Sequence, residues 1–201
     1  VEGVPSGLPL HADDIDRDLA RRQVGYGRGE RMKIESDTAI LLAGVRHGFT
    51  LGSPVAVQIN NRDWPNWQEK MNPAPVPGRA EEQMTRPRPG HADLVGSVKY
   101  NHTDIRHTLE RASARETATR VVVGALARRL LAEFGVSVHS RVIRIGNVQA
   151  PSVIPNIQVY EKAELCPVRC GEPTVAEQMC RVIDAAKQAG DSVGGVFEVA
   201  V

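Results

Sequence analysis

The chain has 201 residues, of which 41% are hydrophobic and 24% charged, with a formal net charge of +1. This is the composition of a folded globular domain with room for a real core. No stretch is long and apolar enough to span a bilayer, no basic-then-apolar leader is visible, and only 4% of residues are aromatic; the expectation is a cytoplasmic protein with neither a membrane nor a nucleic acid as partner.

In chain order, Val1-Glu2-Gly3 reads as the tail of a strand already under way. Residues 13–22 are predicted helical, with acids early and Arg21-Arg22 late, as the helix dipole favours. A glycine loop follows at Gly25, Gly27 and Gly29. Residues 32–59 read as a β meander with strands at 32–35, 38–43 and 54–60 and turns at Ser36-Asp37 and Gly48–Ser53. Trp64 and Trp67 fall in a polar stretch, and the proline-rich run 73–88 reads as a loop.

Short helices are expected at 93–100 and 104–110. The clearest helix runs from 113 to 134, where Ala118, Val121, Val122, Ala125, Leu126, Leu130 and Phe134 recur at helical spacing before Gly135 stops it. A strand is expected at 136–145, an irregular segment at 147–174, a helix at 175–189 and an apolar strand pattern from 194 to 201. The class is mixed α and β with antiparallel strands, in one domain spanning 1–201, and both ends read as cut from a longer protein.

Cys166, Cys170 and Cys180 are odd in number and complete no zinc spacing, so reduced thiols are expected and no metal site. Of the 25 basic residues, 20 are Arg. Arg presents a planar, always-charged fork suited to carboxylates and phosphates.

Three segments concentrate that chemistry. Residues 21–33 hold five cations, Arg21, Arg22, Arg28, Arg31 and Lys33, interleaved with glycines that let backbone N–H groups approach an anion. A basic surface turn would read the same way. In the run Arg86–Asp93, prolines stiffen the approach and Gly90 permits a turn into a helix, with His91 at its N-terminus beside Arg86 and Arg88. There a neutral imidazole is favoured until an anion arrives, after which His91 can serve as an acid–base group; a histidine that merely packs the turn is the alternative. In Glu110–Thr117, Ser113 and Glu116 have the spacing of a capping box, and Arg111 and Arg115 flank a helix start that could also receive an anion. A single guest with several negative charges accounts for all three.

Read together, these segments resemble the chorismate synthase family. The likeness is carried in order by VEGVPSGLPL, GYGRGERMKIESD, LAGVRHGFTLGSP, NRDW, TRPRPGHADL, LERASARETATRVVVGAL and GDSVGGVFEV. It implies an α+β fold, a β-α-β sandwich with helices packed between antiparallel sheets, incomplete in an N-terminal half, and a homotetramer for the full protein. It also implies a carbon–oxygen lyase that uses reduced FMN to remove phosphate from 5-enolpyruvylshikimate 3-phosphate by anti 1,4-elimination, giving chorismate for aromatic amino acid biosynthesis. NADPH would be used only by bifunctional members.

Residue by residue, the resemblance implies a catalytic role for His91 as proton donor. It implies substrate or NADP contacts at Arg22, Arg28, Arg31, Arg88 and Arg115, and FMN contacts at Arg111, Ala112 and Ser113. Glu30, Ala112 and Asn101 depart from residues common in the family. The family's opening Gly-Glu-Ser-His-Gly motif and its C-terminal half are not in the sequence, so the 201 residues alone are expected to be inactive. A non-catalytic module that binds a flavin mononucleotide or a sugar phosphate is the competing reading.

Overall fold

Aspartates at the start of a helix and arginines at its end are both favourable to the backbone dipole, and the first helix, α1, spans Ala12–Gln23 with Asp13 and Asp14 early and Arg21 and Arg22 late. The computed structural model describes residues 1–28, 36–75, 83–88, 91–109, 111, 114–151 and 156–201. It divides into two compact units, one of Val1–Leu19 and Asp37–Leu126 and the other of Ala20–Ser36 and Ala127–Val201. Both are built from helices and antiparallel strands, an α+β fold.

In the first unit, β1 (Ser6–Pro9), β3 (Val45–Arg46) and β4 (Phe49–Leu51) form an antiparallel sheet in the order β1-β4-β3. Thr50 locks it: its buried hydroxyl accepts the Leu8 N–H at 2.9 Å and donates to the Pro5 carbonyl at 2.5 Å. A second ladder pairs β2 (Ala39–Ala43) with β5 (Ala56–Ile59). Asp16 of α1 accepts the Ala39 N–H at 2.6 Å, which fixes the start of β2. The core gathers Leu10, Ile15, Leu19, Ala39 and Val55 against Ala118, Val122, Ala125 and Leu126 of helix α4 (Ala114–Ala132). Those four α4 positions lie on one stripe at helical spacing.

In the second unit, β6 (His139–Ile145) lies between β7 (Val148–Gln149) and β8 (Gly195–Ala200), antiparallel to both. Two helices accompany this sheet. α5 (Ile157–Leu165) is capped by Asn156, whose side chain accepts the Val159 N–H. α6 (Pro173–Gln188) starts on proline, whose missing N–H costs nothing at a first turn. Ala150, Val168, Cys170, Ala176 and Met179 form the core. Burial pushes the Cys170 thiol up from its ordinary range.

Several expectations change. The predicted turn at Gly48–Ser53 contains strand β4. The chain reverses instead at His47-Gly48, both at positive φ (51° and 81°), the two-residue hairpin geometry whose twist matches the strands it joins. The strand pattern read at Val1–Gly3 begins at Ser6. The long helix ends at Ala132, leaving Phe134 74% exposed, because the Gly135 and Val136 N–H groups close back on Ala132 and Leu131. The segment 147–174 is not irregular throughout: it holds β7 and α5, since Pro151 and Pro167 flank that helix rather than interrupt it. The helix expected at 104–110 is a single turn, α3 (Arg106–Leu109). The strand expected at 32–35 lies outside the described residues.

Candidate active site

Helix α2 spans Asp93–Tyr100 and carries the candidate histidine at its entrance. Asp93 is fully buried, and Arg88 closes onto its carboxylate. Oδ2 accepts the Arg88 main-chain N–H at 3.0 Å and its Nε–H at 2.9 Å, and Oδ1 accepts from Nη2 at 2.9 Å. The Arg88 hydrogen bonds outweigh burial and hold the Asp93 carboxyl at about 2. The His91 N–H reaches back to the Arg88 carbonyl at 3.4 Å, and the His91 side chain is exposed. Arg88 and His91 are therefore joined through the main chain, and the Arg88 side chain remains 36% exposed.

Two further contacts anchor this loop. Asp104 accepts the N–H groups of Met84 and Arg106, and the Ile105 N–H donates to the Met84 carbonyl at 2.8 Å. Burial works against ionisation of Asp104, but these hydrogen bonds and the charge of Arg106 still bring its carboxyl below the ordinary value. Gly96 lets α2 press on α3: a Cβ there would stand 2.0 Å from the Thr108 Cγ2.

Arg115 and Arg111 sit at the start of α4. Arg115 pairs with Asp37, whose side chain is 1% exposed. Arg111 is 81% exposed and lies 3.9 Å from Glu116. Ala112 and Ser113, and with Ser113 the expected capping box, lie outside the described residues, as does Arg31.

Arg22 and Arg28 belong to the second unit, and both are half-buried. The loop between them is pinned: the Tyr26 N–H donates to the Pro167 carbonyl at 3.0 Å, and its phenol donates to Asp184 at 2.8 Å. That hydrogen bond raises the Tyr26 pKa. Gly27 has φ of 77° and lies against Ile183, where a Cβ would stand 2.7 Å from Cγ2. Packing and backbone geometry therefore require this glycine, independently of any anion. Arg21 is part of a separate network, gripping Glu164 through two nitrogens alongside Arg169 and reaching the Ser140 hydroxyl at 3.0 Å. Burial opposes ionisation of Glu164, but the two arginines hold its carboxyl at about 2.

Sequence reasoning named the arginines and missed the carboxylates that hold them. Asp93 was visible as the end of its motif, five residues after Arg88. Asp37 stands in a turn-type dipeptide with Ser36 and carries no local sign of its partner 78 residues away. Among the described residues no group of three or more His, Cys, Asp or Glu could hold a metal ion, and no helix is long and apolar enough to cross a membrane.

An exposed histidine follows an arginine at one helix entrance, and two further arginines stand at the start of another helix. The profile of the family described as chorismate synthase matches residues 1–201. The chain is 55% identical to chorismate synthase of Symbiobacterium thermophilum over 99% of its own length and 53% of that protein's. It is 57% identical to chorismate synthase of Rubrobacter xylanophilus over 99% of its length and 51% of that protein's. A crystal structure of chorismate synthase superposes with a TM-score of 0.75 at 40% identity, covering 98% of this chain and 51% of that one. The chain belongs to the chorismate synthase family, and it spans about half the length of the relatives it matches.

Proposed function

We propose that the complete protein to which this chain belongs is a chorismate synthase. It would remove phosphate from 5-enolpyruvylshikimate 3-phosphate by anti 1,4-elimination, with reduced FMN as cofactor. The observation that carries this reading is family membership over the whole chain, joined to an exposed His91 beside a fixed Arg88. The same reading makes the protein a cytoplasmic homotetramer. The 201 residues by themselves would be inactive, since they span about half of the length of the chorismate synthase relatives.

The donor set fits FMN. Its phosphate needs N–H donors and positive charge, and the start of the 19-residue helix α4 supplies both, with an 81% exposed guanidinium at Arg111. Arg111, with Ala112 and Ser113, would hold the cofactor, which supplies transient electron density as the substrate's phosphate leaves. Arg88 and Arg115 would contact the substrate's anionic groups, and Arg22, Arg28 and Arg31 keep the substrate or NADP roles that the family resemblance implies. A guanidinium already fixed by a buried acid loses little further freedom on binding and stabilises the charge that grows on the departing phosphate. His91 would hold a proton at its imidazole, stabilised by the bound anion, and serve as the acid–base group.

The test is anaerobic turnover. The full-length protein with reduced FMN should form chorismate, His91→Ala should lower kcat about 100-fold or more, and the 201-residue chain alone should form none. Absence of product from the full-length protein would refute the activity, and an unchanged rate in His91→Ala would refute the histidine's role.

A further inference from the structure

We propose that Asp93 is a positioning residue for the anion site: it never meets the substrate, but sets both the backbone and the guanidinium of Arg88 before the substrate arrives. This rests on the functional reading above. Asp93 is fully buried, so it cannot serve as a surface acid.

Nor is it the cap of its helix. The N-cap is Ala92, which makes no side-chain cap hydrogen bond, and among the described residues it is Arg88 that bonds the Asp93 carboxylate, three times. One bond fixes where Arg88 leaves the main chain. The other two, one to each carboxylate oxygen, fix the plane of the fork. A free arginine side chain carries about 2 kcal/mol of rotamer entropy, and fixing it in advance removes that cost from substrate binding. With its side chain 36% exposed, Arg88 is still reachable from solvent. The His91 N–H bonds to the carbonyl of the same Arg88, so the arginine that Asp93 fixes is also tied to the histidine's main chain.

Asp93→Asn keeps the shape and one acceptor, but its amide nitrogen cannot accept a hydrogen bond from the guanidinium. In the full-length enzyme this variant should raise KM for the phosphorylated substrate about 10-fold while changing kcat less than about 3-fold, since the lost interaction acts in binding. Arg88→Ala should raise KM at least as much. Because Asp93 acts through Arg88, the double variant should match Arg88→Ala alone in kcat/KM. Hydrogen exchange at the Arg88 amide, followed by mass spectrometry, should accelerate in Asp93→Asn whether or not the enzyme turns over. If Asp93→Asn fails to fold, Arg88→Lys takes its place: it keeps the charge but cannot form the fork, and its KM should rise to a similar degree.

Additive effects in the double variant would overturn the proposal, as would an unchanged KM or, in a folded Asp93→Asn protein, unchanged amide exchange. A wild-type enzyme that makes no chorismate would refute the activity instead, leaving the exchange measurement to decide whether Asp93 fixes Arg88.

Discussion

Arg141 and Glu198 stand opposite each other in the register of β6 and β8, and the guanidinium, 3% exposed, forms an ion pair with the carboxylate across the ladder. The Tyr160 hydroxyl donates to the same carboxylate at 3.2 Å. Burial, followed by the Glu198 charge, raises the Tyr160 pKa. A buried guanidinium without its partner is expensive, because the desolvation cost remains and the attraction is lost. Glu198→Gln should therefore destabilise the fold by about 3 kcal/mol. Arg141→Leu should cost less, since Glu198 is 29% exposed and can turn to water. Urea denaturation of both variants checks the order; equal losses would mean that the pair is a surface contact in energetic terms.

Asp93 gives the fold a defined sensitivity to acid. Its ordinary value of 3.8 in the unfolded chain falls to about 2 in the folded one. Stabilisation from a depressed carboxylate is complete above the unfolded value and is lost as pH falls through the folded one. The window is therefore from about pH 4 down to about pH 2, and the loss is at most about 2 kcal/mol. Asp93→Asn should be less stable than the parent at pH 6, and the gap should close as pH approaches 2. Denaturation curves across that range test this; a gap independent of pH would show that the charge on Asp93 is not what stabilises the loop.

Replacing glycine by alanine inside a helix ordinarily stabilises it by about 1 kcal/mol. Gly96→Ala should do the reverse. Its new methyl would stand 2.0 Å from Cγ2 of Thr108, which is buried, so α2 and α3 must separate. A loss of about 2 kcal/mol is expected. Thr108→Ser removes the obstructing methyl and should recover much of that loss in the double variant, a non-additivity read from melting temperatures. A Gly96→Ala protein as stable as the parent would show that the contact between these helices is loose.

How far the sequence could be read depended on the range of each signal. The spacing of Ala118, Val122, Ala125 and Leu126 is written within one helix, and those residues are the buried stripe of α4. The acids and arginines of α1 sit within a turn of its ends and mark it equally well. The hairpin at His47-Gly48 was missed because its residues are not the asparagine–glycine pair that usually announces this turn. Helix α5 was hidden by prolines whose place beside the helix, rather than in it, depends on where Asn156 caps it. Family membership was legible because long motifs in a fixed order are hard to match by chance.

The supply of guanidinium groups, the histidine within the Arg86–Asp93 run and the alternation of helices and antiparallel strands are legible in the sequence, since each is a property of residues close together in the chain. Which acids hold those arginines depends on the packed chain. Asp37 meets Arg115 across 78 residues, and the fully buried carboxylate of Asp93 accepts from Arg88. Such pairings depend on burial, which strips water from a carboxylate and makes a particular arginine its necessary partner, and burial is settled only when the whole chain has packed.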